Sequence, residues 1–211
     1  MARVLFAAIA LNLIAVSHAS AAPIYWTGNG NHYDFVLAPN INWVVARDAA
    51  AGTSFLGAPG HLVTVTSPAE NAFITANLNN GLPTQLAWIG GFEPSDDGIW
   101  RWAVGPEAGV QFSLFATPTP PFNFANWGGI EPNDRFDGED YAGLNIGQSF
   151  AGIAPGQWGD GVQSPSGDDH IVGYLVEFET SAIPEPSTLI IWSLLGVLGV
   201  TVGWWRRRRA A

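Results

Sequence analysis

The stretch NWGGIEPNDRFDGEDY, residues 126–141, is unlike the rest of the chain. Five carboxylates and one arginine stand within residues 131–140, although only 12% of the whole chain is charged. Glycine, proline and asparagine punctuate the stretch, and these residues favour turns over regular elements. Periodicity is poor over the wider range 104–140, so the sequence predicts one long loop. A loop of this length inside a compact domain is usually functional.

The charge of the chain limits the classes of partner that it can bind. The chain contains no lysine, and residues 22–183 carry seventeen acidic residues against three arginines, for a net charge of −14. A surface of this sign repels phosphate backbones and attracts cations, which argues against nucleic acid as a partner. Ten tryptophans and twelve phenylalanines supply enough apolar area for a sizeable core, so the acidity is not that of a disordered tail.

The sequence on either side of the loop predicts a single α+β domain over residues 22–180. One helix follows Asn42, a favourable capping residue, where apolar side chains recur at helical spacing. A second helix begins after Ser67, with Pro68 at its first position and Glu70 at its third. Alternating or continuously apolar segments predict strands at residues 32–36, 61–67, 86–91, 99–105, 140–146, 157–160 and 173–179.

Three short motifs occur in order along this framework: WIGG at residues 88–91, EPN at 131–133 and WGD at 158–160. Together with the order of helices and strands, they resemble the C-type lectin domain over nearly all of residues 33–179. Each motif alone is weak, and it is their order and spacing that carry the likeness. The resemblance implies a C-type lectin-like fold, with two helices, two small antiparallel sheets and a long loop region that binds calcium.

The resemblance also implies a calcium site in the loop and assigns its ligands. Calcium is a hard cation that takes about six to eight oxygens, and the loop offers carboxylate and amide oxygens. In the family the Glu-Pro bond of the EPN motif is cis, an isomer that proline permits at little cost, so we expect a cis bond before Pro132. The implied metal ligands are Glu131, Asn133, Glu139 and Asp160, with Asp134 and Asp140 as candidate ligands of a second calcium ion.

The chain departs from the family pattern at Gly159. The family has an asparagine at this place that serves both calcium and sugar, and glycine has no side chain to offer. Water or Asp137 would have to take the place of that asparagine. The resemblance therefore leaves the occupancy of the calcium site open.

The resemblance further implies how a sugar would bind. In sugar-binding members of the family, two neighbouring hydroxyls of a pyranose complete the calcium shell and hydrogen-bond to the protein ligands of the ion. A carboxylate accepts and an amide donates, so the pair reads the orientation of the hydroxyls. We therefore expect weak, calcium-dependent binding of mannose- or glucose-like units of a polysaccharide, with Glu131, Asn133 and Glu139 as the sugar-binding residues.

Two other classes of function compete with this one. The alternative is a calcium-independent C-type lectin-like module that binds proteins or packs in a matrix, which Gly159 favours. An enzyme is not expected, because the chain has no cysteine nucleophile, no Gly-x-Ser-x-Gly elbow and no histidines at zinc-type spacing. Trp127, beside the loop, is interpreted as a core residue and not as a surface for stacking on sugar.

Both ends of the chain carry targeting signals. Residues 1–21 contain a basic Arg3, an apolar run and small residues before Ala21, the pattern of a cleavable secretory signal peptide. Residues 189–205 contain no charge. At about 1.5 Å per residue this run reaches roughly 25 Å, enough for a short transmembrane helix. The arginines that follow would stay in the cytoplasm, with the acidic domain outside.

Residues 181–211 resemble the PEP-CTERM sorting tail of Gram-negative bacteria, in the order Pro-Glu-Pro, apolar span and arginine cluster. The resemblance implies processing by signal peptidase and then by an exosortase, with a transient stay in the inner membrane. The mature protein is then expected at the cell surface, in an exopolysaccharide matrix or secreted, and a plain single-span anchor is the alternative. The sorting signal comprises Pro184, Glu185, Pro186, Arg206, Arg207, Arg208 and Arg209.

Overall fold

The computed structural model describes residues 22–78, 86–135, 138–165 and 170–180. The predicted signal peptide, transmembrane segment and sorting signal lie outside the described residues, as does Asp137. No helix within the described ranges is both long and apolar enough to span a membrane.

Both helices begin where their capping residues predict. α1 spans Trp43–Ala51, and the Asn42 side chain accepts hydrogen bonds from backbone N–H groups of its first turn. α2 spans Pro68–Asn77, and Ser67 Oγ accepts from the backbone N–H of Glu70 at 3.2 Å. These side chains satisfy N–H groups that have no partner within the helix, which is why they mark its start.

The strands follow most of the predicted segments, but not all. Residues 63–66 leave the strand conformation before the cap of α2, so only the start of the predicted strand 61–67 forms. The range 104–140, expected as loop, contains the short strands Gln111–Leu114 and Thr117–Pro118. The strands are β1 (Ile24–Tyr25), β2 (His32–Leu37), β3 (Ser54–Phe55), β4 (Ala58–Leu62), β5 (Leu86–Phe92), β6 (Ile99–Trp102), β7 (Gln111–Leu114), β8 (Thr117–Pro118), β9 (Tyr141–Asn145), β10 (Trp158–Gly161) and β11 (Ile171–Phe178).

These strands form one connected mixed sheet, and not the two small antiparallel sheets that the resemblance implied. β11 pairs in parallel with β5, with Tyr174 opposite Trp88, and antiparallel with β2 and β4. β5 also pairs antiparallel with β6 and β9. Both central strands are almost wholly buried, so they need partners on both edges for their backbone groups. The long connection between β5 and β11 makes the parallel pairing possible.

An aromatic core lies beneath the long loop. Trp102 stacks on Phe112 with ring centroids 4.2 Å apart, and Trp158 meets both rings edge-on. Trp127 packs against Trp100 and Trp158, which agrees with its interpretation as a core residue. A buried tryptophan removes about 150–250 Å² from water, a gross hydrophobic stabilisation of about 4–6 kcal/mol at ~25 cal/mol per Å². The core therefore anchors both the start of the loop and β10.

Candidate functional site

Backbone hydrogen bonds fix the start of the long loop to β10. Trp158 N–H donates to the Asn126 carbonyl at 2.8 Å, and Gly128 N–H donates to the Trp158 carbonyl at 2.9 Å. Glu131 N–H then donates to the Gly128 carbonyl at 2.7 Å and closes a turn. The peptide bond between Glu131 and Pro132 is cis, as expected. The EPN motif is thus held beside β10.

Asp160, on β10, binds the loop through its carboxylate. Its Oδ2 atom accepts from the backbone N–H groups of Asn133 at 2.9 Å and of Asp134 at 2.8 Å. Asp160 is only 8% exposed, so these charge-assisted hydrogen bonds are shielded from water and are stronger than neutral ones. Two segments 27 residues apart in sequence therefore meet at this carboxylate.

Two other acids of the loop order its backbone. Asp134 Oδ1 accepts from the N–H groups of Gly138 at 2.7 Å and of Glu139 at 3.0 Å. Glu139 Oε2 accepts from the N–H of Arg135 at 2.6 Å. The carboxylates thus take the role that regular secondary structure has elsewhere, which explains how an irregular, charged loop keeps a defined course.

A cavity of about 160 Å³ lies where the loop meets β10. All four predicted calcium ligands line it, and within this set the Asn133 side-chain amide donates to Glu131. Among the described residues, the carboxylate oxygens of the set do not all lie within 4.8 Å of one another. Binding of one ion by the whole set therefore requires the side chains to close around it. The four residues are Glu131, Asn133, Glu139 and Asp160.

The two acids predicted for a second calcium ion do not line this cavity. Asp134 directs Oδ1 into the loop backbone. Asp140 lies near Glu93 and Tyr141, where its charge adds to burial, the larger cause, in raising the pKa of both groups. The structure brings the residues predicted for the first ion to one cavity, and the two predicted for the second ion lie outside its lining.

The Glu131 carboxyl is strongly perturbed by its position in the cavity. Burial raises its pKa, and the nearby carboxylates of Asp160 and Glu139 raise it further, to about 9, although the amide of Asn133 opposes the shift. At neutral pH this carboxyl therefore holds a proton. A cation in the cavity would replace that proton, because an opposite charge stabilises the ionised carboxylate.

Sequence reasoning missed one wall of the cavity. Phe150 and Ile153, between β9 and β10, form it together with His170, immediately before β11. The rings of Phe150 and His170 lie 5.1 Å apart. These residues carry no motif or periodicity, and they meet only through the pairing of β9, β5 and β11, so nothing in the sequence could have indicated them.

Ile153 also occupies the space in front of Gly159. A Cβ atom placed on Gly159 would lie 2.8 Å from Ile153 Cδ1 and 3.9 Å from Glu131 Cγ. An asparagine could enter here only if the end of the isoleucine side chain moved. The Ile153 side chain therefore fills space beside position 159, where the family has an asparagine side chain.

Comparisons with known proteins identify the fold. The C-type lectin CEL-I from Cucumaria echinata covers 74% of this chain and 95% of its own, with a TM-score of 0.51 at 21% identity. The chain has the C-type lectin-like fold. An EPNH mutant of CEL-I covers 75% of this chain and 96% of its own, with a TM-score of 0.53 at 21% identity. Human lithostathine matches 70% of this chain and 91% of its own chain, with a TM-score of 0.50 at 21% identity.

Sequence comparison finds a relative that this chain matches over only a small part of its length. No protein-family model matches the chain. Halomucin from Haloquadratum walsbyi is 32% identical over 150 residues, which make up 71% of this chain but 1% of halomucin. The lectin-like chain thus corresponds to one small segment of that protein, and its function has to be argued from its own site.

Proposed function

We propose that the chain is an exported, calcium-dependent carbohydrate-binding protein. The observation that carries this proposal is the cavity at the long loop, which Glu131, Glu139 and Asp160 line together with Asn133. The lectin-like fold supports a binding role at this position. The proposal includes no catalytic step, because carboxylates that hold an ion are poorly suited to proton transfer.

The donor set of the cavity fits calcium. Three carboxylates and one amide supply hard oxygen donors, and each carboxylate can bind through one or both oxygens, so the set offers about four to seven of the roughly six to eight that calcium takes. Burial raises the pKa of Glu131 most, and repulsion from the neighbouring carboxylates adds to it; a cation would relieve that repulsion. Bound calcium would supply a centre to which neutral hydroxyls can coordinate.

The proposed ligand is a neutral hexose unit of the mannose or glucose type within a polysaccharide. Glu131 and Glu139 would accept hydrogen bonds from its hydroxyls, and the Asn133 amide would donate. The rings of Phe150 and His170, on the missed wall, offer a surface for the apolar face of a pyranose. Excess negative charge around the cavity disfavours anionic sugars.

Export and sorting belong to the same proposal. Signal peptidase would remove residues 1–21, and residues 189–205 would then hold the chain in the inner membrane. An exosortase would act on the tail near residues 184–186. The mature protein would be located at the cell surface, in the exopolysaccharide matrix or free outside the cell, where a polysaccharide ligand is at hand.

Calorimetric titration of the full chain in detergent tests the proposal. We expect saturable calcium binding, followed by mannan binding that a chelator abolishes. Glu131→Gln should abolish both, whereas Asp48→Asn, which removes one exposed charge on α1, should leave both unchanged. A folded protein that gives no heat with either calcium or mannan would contradict the proposal.

A calcium-independent interaction module is the second candidate. The packing of Ile153 against Gly159 favours it, because the end of the Ile153 side chain occupies space that an asparagine at this position would need. Melting curves in calcium and in chelator separate the two candidates. A ligand at about 100 times its Kd stabilises the folded state by about 2.7 kcal/mol, whereas the melting curve of a calcium-independent module would not move.

A further inference from the structure

A second group of titratable residues lies at the other end of β11 from the loop cavity. Ile171 lines that cavity, whereas Glu177 lies six residues further along the strand, roughly 20 Å away at about 3.3 Å per residue. In the sheet, Glu177 stands opposite His61 of β4 on one side and Tyr33 of β2 on the other. Residues opposite each other place their side chains on the same face of the sheet, so three strands each contribute a side chain to this group.

Glu179 completes this group. It follows Glu177 by two residues, and the period of an extended chain directs both side chains to the same face. One ligand atom from each of His61, Glu177 and Glu179 lies within 4.8 Å of the other two. A nitrogen and two carboxylates from separate positions thus converge, where the sequence showed only scattered histidines and acids.

The hydrogen bonding of His61 leaves one of its ring nitrogens available. Nδ1 lies 2.8 Å from the Leu62 carbonyl, and because a carbonyl can only accept, Nδ1 carries the proton of this contact. Nε2 is buried, lies 3.6 Å from Glu179 Oε1, and has no hydrogen-bond partner among the described residues. Metal-binding histidines commonly have this arrangement, with one nitrogen donating to a carbonyl and the other on the metal.

Asn31 holds the two carboxylates in place. Its amide donates to Glu177 Oε1 at 2.8 Å and to Glu179 Oε2 at 3.1 Å. Glu177 Oε2 accepts long contacts from the N–H and Oγ1 of Thr64 at 3.3 and 3.5 Å, and Glu179 Oε1 faces His61. A carboxylate oxygen has more than one acceptor site, so each of these oxygens can also bind an ion. Asn31 is 4% exposed, and its own Oδ1 is a further buried atom without a hydrogen-bond partner in the described part of the chain. Buried polar atoms without a partner are uncommon in native proteins, and an ion bound beside Nε2 would satisfy that nitrogen.

We propose that His61, Glu177 and Glu179 bind a divalent transition-metal ion such as zinc. An imidazole nitrogen with two carboxylate oxygens suits zinc, whereas calcium prefers oxygen ligands alone. The side chains of His61 and Glu179 are 12% and 34% exposed, which gives the ion a path of entry and leaves a coordination position facing solvent. The ion would fasten β4 to the end of β11, and it would bind independently of the loop cavity.

A simple ion pair between His61 and Glu179 is the competing explanation of this cluster. Burial lowers the pKa of His61, but the carboxylates of Glu179 and Glu177 outweigh burial, so the pKa is raised on balance. Such an imidazolium would donate to Glu179 and would need no metal. The two explanations differ in whether added metal ions change the protein.

Metal titrations of the full chain decide between them. With the loop cavity saturated by calcium, zinc is titrated against a competing chelator, and cobalt is added in place of zinc to record its visible absorption. We expect one zinc per chain, a rise in melting temperature with zinc, and a cobalt spectrum of low coordination number. His61→Gln and Glu179→Gln should each weaken zinc binding by at least the roughly tenfold that loss of even an outer-shell partner costs.

Two control variants separate this site from the rest of the protein. His32→Gln removes a histidine whose position opposite Phe178 puts it on the other face of the sheet, and Glu131→Gln alters only the loop cavity. Both should bind zinc as tightly as the parent does. Glu131→Gln, which is not expected to bind calcium, is compared with the parent in the absence of calcium, and this keeps the test separate from that of the calcium site. The proposal would be overturned in favour of the ion pair if the parent showed no saturable zinc binding, or if His61→Gln and Glu179→Gln bound zinc as tightly as the parent does.

Discussion

Glu131 is the residue at which protons and calcium would compete. Its pKa in the folded chain is raised from 4.5 to about 9, so the folded state holds a proton that the unfolded state releases above about pH 4.5. The stabilising effect of that proton is complete below this pH and is lost as the pH rises toward 9. Calcium affinity should therefore rise over the same range, because fewer protons then have to be displaced.

We accordingly expect the melting temperature in chelator to fall as the pH is raised from about 5 to 9. Glu131→Gln cannot ionise, so it should flatten part of this fall, and thermal melts over a pH series measure the difference. Some slope should remain in the variant, because burial raises the pKa of Glu177, with help from Glu70, to about 7. An unchanged slope in Glu131→Gln would show that this carboxyl is not the perturbed group.

Gly159 offers a second test at the scale of single residues. Gly159→Asn alone should destabilise the chain, because its Cβ would lie 2.8 Å from Ile153 Cδ1. Ile153→Val removes that atom, at a cost of about 0.5–1.5 kcal/mol for such a core truncation. The double variant should therefore fold and bind calcium more tightly than Ile153→Val alone, as calorimetry would measure. Equal affinities would mean that position 159 does not face the ion.

At the scale of elements, α2 supports the loop site through Asn71. The Trp158 indole N–H donates to Asn71 Oδ1 at 2.8 Å, and Asn71 Nδ2 donates to the Gly156 carbonyl at 2.8 Å. That carbonyl also accepts from Asn126 at 2.7 Å, so only the buried indole loses its partner if Asn71 is truncated. The helix therefore fixes β10, and β10 carries Asp160.

Asn71→Ala should lower the free energy of unfolding by about 1–3 kcal/mol, the cost of a buried polar group left without a partner. Asn77→Ala, at an exposed position of the same helix, is the matched control and should change it by no more than about 0.5 kcal/mol. Urea denaturation measures both. A similar loss in the two variants would mean that the effect comes from the helix and not from its contact with β10.

The elements that the sequence predicted are those with local signals. Asn42 and Ser67 cap their helices through hydrogen bonds to neighbouring residues, so the pattern alone could locate both starts. The parallel pairing of β5 with β11 joins strands far apart in sequence, and no local pattern specifies which strands pair or in what register. The mixed sheet could therefore not be predicted from the sequence.

The same distinction applies to the two candidate sites. The loop ligands lie mostly within one acidic stretch, where the EPN motif could be read directly. Phe150, Ile153 and His170 join them through tertiary structure alone. His61 and Glu177 become neighbours through a strand register. The sequence therefore showed no histidines at zinc-type spacing, although one of them faces two carboxylates.

For the molecule as a whole, we propose that a targeting signal flanks the acidic lectin-like domain on each side. If residues 1–21 are removed on export, the mature protein should begin at Ala22, and mass spectrometry of protein from the native host would measure its N-terminus.

Replacing residues 184–186 with alanines should keep the full tail attached and the protein in the membrane fraction. Release of that variant in normal amounts would argue against exosortase processing.

We propose that two separated segments of the chain enclose one calcium ion. A crystal structure grown in calcium, with an anomalous difference map, would show the ion itself. We expect one strong peak inside the cavity, with oxygens of Glu131, Asn133, Glu139 and Asp160 drawn toward it. A map without a peak at that position, with the carboxylates still spread around the cavity, would contradict it.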